Sequence, residues 1–159
     1  ILGIIGCFII VSGIIIWQVA RDKKSVPERK RKFNFQLVNI YMAVCMSMYP
    51  LIAILFILVK TKVLSSQSDI YSFFFIAWLV VSIGFVWLKN YKLTTKYSLL
   101  SGAIIGLGIP IASKLSTGIG FWQNYQEGKF DLFFIDFFWL MLSLVALFAY
   151  WKAYAKKDK

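Results

Sequence analysis

Hydrophobic positions gather in five long runs, Ile1 to Ala20, Phe35 to Val59, Ile70 to Leu88, Tyr97 to Ser113 and Leu132 to Trp151, divided by short polar connections. An α-helix rises 1.5 Å per residue, so about 20 apolar residues cross ~30 Å of hydrocarbon. Each run therefore predicts one membrane-spanning helix. A transmembrane β-barrel would need shorter segments alternating between lipid-facing and lumen-facing residues. Instead, Phe8 to Ile16 and Phe133 to Leu142 carry no polar side chain apart from Ser12 and Asp136. The pattern predicts an all-α, polytopic bundle of five transmembrane helices, with residues 1–159 forming a single domain.

The connections set an orientation. Arg21, Lys23, Lys24, Arg29, Lys30, Arg31 and Lys32 follow the first run, Lys89, Lys92 and Lys96 the third, and Lys152, Lys156, Lys157 and Lys159 the fifth. The other two connections carry only Lys60 and Lys62, then Lys114 and Lys129. Fourteen basic residues against four place the N-terminus outside and the C-terminus in the cytoplasm by the positive-inside rule. The net charge of +11 is thus a topology signal rather than a nucleic-acid footprint. Its expected partners are the bilayer and anionic lipid headgroups at the cytoplasmic face.

Composition narrows the chemistry. With 60% hydrophobic residues, spread along the whole length, the chain is not a soluble domain behind a signal peptide. Cys7 and Cys45 both lie within predicted spans, and no Cys-x-x-Cys or Cys/His spacing suggests a disulfide or metal site. There is no histidine, which removes the commonest haem ligand, metal ligand and general base together. Met42 and Met46 share a helical face and read as core filler. No Walker loop, dinucleotide fingerprint, Ser/His/Asp set or His-Glu-x-x-His motif is present, so no catalytic residue is assigned and an autonomous enzyme is not expected. The chain opens on Ile1 inside an apolar run, without an initiator Met or polar flank, which leads us to expect a missing upstream segment.

Several residues inside the spans suggest how the helices pack. Pro50 deprives the Met46 carbonyl of its helical partner and predicts a kink in span two. Ser98, Gly102, Gly106 and Pro110 follow at four-residue intervals in span four, a stripe of small residues that lets another backbone approach. Its expected neighbours are span one (Gly3, Gly6, Gly13) or span three (Ala77, Gly84), with a dimer seam as the alternative. Ser143, Ala146 and Ala149 in span five repeat the device more weakly. Arg21 to Lys32 reads as a mobile or surface-hugging loop around Pro27. Lys114 to Asp131, with Phe121, Trp122 and Tyr125, reads as a loop resting at the interface. Trp17, Trp87 and Trp151 read as interfacial anchors. Gln18, Gln36 and Asn39 either line a polar crevice at the cytoplasmic face or are simply solvated.

Asp136 is the one acidic residue well within a span. Hydrocarbon does not solvate a carboxylate, so it must face the bundle, pair, or take up a proton. Lys114, Ser116 and Thr117, at the near end of span four, are its expected polar partners. Asp136, Lys114, Ser116 and Thr117 together form the candidate intramembrane polar site, structural in one reading and a solute or proton path in the other.

Four segments in order resemble the membrane portion of the PepSY-associated transmembrane family, the iron-regulated inner-membrane proteins that include ferric-siderophore reductases. They are Leu2-Gly3-Ile4-Ile5-Gly6-Cys7 to Ser12-Gly13-Ile14-Ile15-Ile16-Trp17 before a basic loop, Phe73-Phe74-Phe75-Ile76-Ala77-Trp78-Leu79, Gly108-Ile109-Pro110 to Leu115-Ser116-Thr117-Gly118, and Phe134-Ile135-Asp136-Phe137. The resemblance implies a multi-pass protein of the bacterial inner membrane whose upstream part holds a further helix and an extracytoplasmic PepSY domain. It implies a scaffold for transmembrane electron transfer through haem to a ferric siderophore in iron acquisition. The chain departs from that picture in having no histidine, so no cofactor-binding residue carries over and haem is expected only in the full-length protein. The alternative is a non-enzymatic membrane subunit or a component of a small-solute transporter.

Overall fold

In a computed structural model of the chain, which describes residues 2–22 and 27–155, the ordered elements are helices. They are α1 (Leu2–Arg21), α2 (Glu28–Lys60), α3 (Gln67–Trp87), α4 (Tyr91–Thr117), the short α5 (Phe121–Gln126) and α6 (Phe130–Tyr150), with a π-helical turn at Trp151–Ala155. Four segments, Glu28–Lys60, Gln67–Trp87, Tyr91–Ser116 and Phe130–Ala153, are long and apolar enough to cross a membrane. The first run forms α1, 20 residues long, with side chains described from Ile9 onward. The molecule is a multi-pass helical membrane protein.

Local chemistry sets the helix ends. Pro27 occupies the N-cap of α2 with φ −53°, and Glu28 places an acid in the first turn, where the helix dipole favours it. The Asn90 side chain caps α4 by accepting from the Lys92 amide at 3.0 Å. Gly118 ends α4 with φ 71°, a left-handed conformation open to glycine at little cost, and donates its amide to the Lys114 carbonyl at 2.9 Å. Gly128, with φ 73°, turns the chain from α5 into α6.

Helix α2 organises the bundle. Helix α3 runs antiparallel along one side, joined by Ser47 Oγ to Ser82 Oγ at 2.9 Å and by Trp78 Nε1 donating to the Val44 carbonyl at 3.2 Å. On the other side α4 runs parallel to α2, with Ser98 beside Met46 at one level and Ser116 beside Lys60 at another. Helix α6 returns antiparallel against α4. Ala53, Ile109 and Trp139 form the buried centre where α2, α4 and α6 meet. The Trp139 ring lies edge-on to Phe56 at 5.3 Å and stacks with Tyr49 at 6.4 Å. Phe75, Ile76, Leu79, Val80 and Ile83 leave an apolar face of α3 exposed. Water would not tolerate so continuous a patch, whereas hydrocarbon solvates it.

Several expectations are corrected. The small-residue stripe of α4 meets α2 and α6 rather than α1 or α3: a Cβ on Gly102 would strike the Tyr49 ring, and one on Gly106 would strike Ser143 Oγ. Periodicity identifies the small face of a helix but not the neighbour that fills it. Residues 28–32, expected within a loop, form the first turns of α2, because Glu, Lys and Arg are good helix formers once Pro27 has started the helix. Helix α2 therefore reaches 33 residues, about 50 Å. Residues 23–26 of that connection, and the basic residues beyond 155, lie outside the described residues. The connection expected as a loop after span four contains the last turn of α4 and all of α5.

The Pro50 expectation has a specific outcome. Helix α2 continues through Pro50, and the Met46 carbonyl it leaves without an amide receives the Ser98 hydroxyl of α4. One stripe residue thus repairs the backbone of the neighbouring helix.

Candidate functional site

Asp136 lies on α6 at the end of the bundle remote from Arg21, Arg29, Lys89 and Lys152. Its side chain is 0% exposed. Trp139 and Ser143, also buried, occupy the following turns, so this face of α6 turns inward toward α4 and α2. A bare carboxylate here costs roughly 2.5–3.5 kcal/mol on insertion scales at a helix centre, less near the interface. The compensating group is Lys60, the last residue of α2, whose ammonium pairs with Asp136 Oδ1 and whose side chain is 14% exposed.

Lys60 is held a second time. Ser116 Oγ, in the last turn of α4, donates to the Lys60 carbonyl at 2.6 Å. That carbonyl belongs to the C-terminal turn of α2, where backbone acceptors have no intrahelical donor. Thr61 Oγ1 donates to the Ile57 carbonyl at 2.9 Å, beside the Thr61 amide that the same carbonyl already accepts. The α2 terminus, the α4 terminus and the start of α6 are therefore clasped by Lys60, through its side chain on one side and its backbone on the other. The second carboxylate oxygen, Asp136 Oδ2, is buried with no hydrogen-bond donor.

The candidate site is thus differently composed from its sequence expectation. Asp136 faces the bundle, but its ion-pair partner is Lys60 rather than Lys114, and Ser116 bonds the Lys60 carbonyl instead of the carboxylate. Lys114 is exposed. The side chain of Thr117 lies outside the described residues. Lys60 and Lys114 are both basic residues near the same end of the bundle. No sequence signal separates them, because the direction in which Lys60 leaves α2 is set by how that helix is rotated against α6. Among the described residues, no three potential ligands from His, Cys, Asp and Glu gather into a metal-binding group.

At the basic end, Gln18, Gln36 and Asn39 line a cavity of about 690 Å³ between α1, α2 and α3. Asn39 is buried and its Nδ2 donates to the Val86 carbonyl at 3.4 Å. Trp17 lies under the Arg21 guanidinium at 4.9 Å, while Trp87 and Trp151 are exposed at the same end. Met42 is buried within the packing surface of α2. Comparison of the chain with family models, curated proteins and solved structures finds no match.

Proposed function

We propose that this chain is the membrane module of a PepSY-type protein of the bacterial inner membrane, a scaffold for transmembrane electron transfer in ferric-siderophore reduction. The observation supporting this reading is the order along the chain of the four resembling segments, two of which meet at Lys60. Leu115-Ser116-Thr117-Gly118 and Phe134-Ile135-Asp136-Phe137 are short and individually unspecific as sequence. Ser116 and Asp136, one from each, bind the same lysine.

The residues present do not fit a haem. There is no histidine, Met42 is enclosed by packing, and the Asp136 carboxylate is engaged by Lys60. No electron step is therefore assigned to this chain. Its part is to hold a bundle of fixed geometry beside whatever upstream helices carry the redox group. A second reading, a component of a small-solute transporter, draws on the cavity between α1, α2 and α3.

Membrane vesicles containing the full-length protein should reduce a ferric siderophore and show a b-type haem absorbance, while the 159-residue chain alone should show no bis-histidine spectrum. Solute uptake by the full-length protein with neither haem nor reductase activity would discard the electron-transfer reading in favour of the second. Orientation is checked separately. With the basic end cytoplasmic, Lys129→Cys should react with a membrane-impermeant thiol reagent in intact cells and Lys89→Cys only after permeabilisation. The reverse labelling pattern would invert the topology.

A further inference from the structure

The cavity at the basic end combines three features that point to one kind of ligand. Its volume of about 690 Å³ falls within the ~300–1,000 Å³ typical of binding pockets. Arg21, Arg31, Lys32 and Lys89 line it against two acids, Asp22 and Glu28. Arg31 Nε is engaged by Asp22 at 2.8 Å, which leaves Arg21, Lys32 and Lys89 opposite Glu28 alone. The cavity therefore carries surplus positive charge suited to a phosphate.

Two amide oxygens, Gln18 Oε1 and Asn39 Oδ1, are buried there without a hydrogen-bond donor. Asn39 is 5% exposed. Buried acceptors of this kind call for a partner. Depth is set by the helices: Gln18 lies one turn inward from Arg21, and Asn39 lies seven residues, about 10 Å, inward from Lys32. The matching O–H or N–H donor must therefore sit on the hydrocarbon side of the phosphate. Phe35, Ile40, Val86 and Trp87 add apolar wall.

Inorganic phosphate supplies the charge, and its P–O–H groups can donate, but they lie at the phosphate itself rather than inward of it and it brings no chain for the apolar wall. A diacyl phospholipid places ester carbonyls, which are acceptors, at the depth where Gln18 and Asn39 offer acceptors of their own. A monoacyl phospholipid carries a free hydroxyl on its glycerol, directly beneath the phosphate. We propose that this cavity binds an anionic monoacyl phospholipid. Its phosphate lies among Arg21, Lys32 and Lys89, its glycerol hydroxyl donates to the Gln18 or Asn39 amide oxygen, and its acyl chain runs along the apolar wall. The inference is independent of the electron-transfer reading, because it rests on a cavity at the other end of the molecule from the Lys60 clasp.

Native mass spectrometry of the detergent-purified protein tests both halves of the recognition. Oleoyl lysophosphatidic acid should bind once per chain, at least tenfold more tightly than dioleoyl phosphatidic acid, which lacks the hydroxyl, or oleoyl lysophosphatidylcholine, which lacks the net charge. The exposed pair Lys32→Gln and Lys89→Gln should weaken binding at least tenfold without disturbing the fold. Gln18→Met should erode the preference over the diacyl lipid while keeping the charge preference. Lys62→Gln with Lys129→Gln, at the far end, should change neither. Equal binding of either comparison lipid, full competition by inorganic phosphate, or an equal loss from the far-end pair would overturn the proposal.

Discussion

Lys60→Met should destabilise the bundle by about 3–5 kcal/mol, the cost of leaving a buried carboxylate without its counter-charge. The methionine keeps most of the lysine's length and apolar stem, so the loss reports the ammonium rather than a cavity. Adding Asp136→Leu should recover most of that loss, because two apolar residues replace an ion pair whose own desolvation is expensive. Asp136→Asn should cost less than Lys60→Met. With its carboxylate partner gone, the Lys60 side chain, already 14% exposed, can carry its ammonium along its flexible stem toward the interface, whereas Asp136 has no such reach. Reversible unfolding in mixed detergent measures all four proteins. A Lys60→Met protein within about 0.5 kcal/mol of the parent would mean that the clasp contributes nothing.

The second large effect is expected at Gly106. A methyl group there collides with Ser143 Oγ, so the hydroxyl must turn about χ1 or α4 and α6 must move apart, at about 1–3 kcal/mol for an overpacked contact. Ser143→Ala removes the colliding oxygen and leaves Ser143 Cβ at 3.6 Å and Trp139 Cε3 at 3.5 Å, both ordinary contacts. The double variant Gly106→Ala, Ser143→Ala should therefore be more stable than Gly106→Ala alone. Gly108→Ala serves as the contrast: its added methyl meets only Ile57 Cδ1 at 3.5 Å and should stay within about 0.5 kcal/mol of the parent. If Gly106→Ala is as harmless as Gly108→Ala, the Ser143 hydroxyl yields to the methyl group and Gly106 is not required for the approach of α4 and α6.

These cases show what a linear reading of this chain can reach. The helices were legible because each apolar run is close to a bilayer thickness. The inward face of α4 was legible because Ser98, Gly102 and Gly106 recur at helical spacing. The occupant opposite that face was not, since Tyr49 and Ser143 belong to helices whose rotation no single segment reveals. Lys60 was read as a topology charge for the same reason: its position along the membrane normal follows from sequence, but its direction around α2 does not. The Arg29 to Lys32 turns were missed because polarity was taken as a sign of loop, although those residues favour helix whenever a cap such as Pro27 precedes them. Nor was the Ser98 bond to the Met46 carbonyl readable, since it joins a stripe in α4 to a proline in α2 across 52 residues.

The Pro50 repair also has a consequence for biosynthesis. The chain emerges from the ribosome N-terminus first, so α2 enters the bilayer before the donor to its Met46 carbonyl has been made. Ser98 and Ser116 become available only when α4 is made, and Asp136 only with α6, the last long helix. The earliest helices thus complete their polar bonding only when the latest arrive. A nascent chain halted after α3 would still lack the Ser98 hydroxyl, so the synthesis of α4 is the step that closes the backbone gap at Pro50.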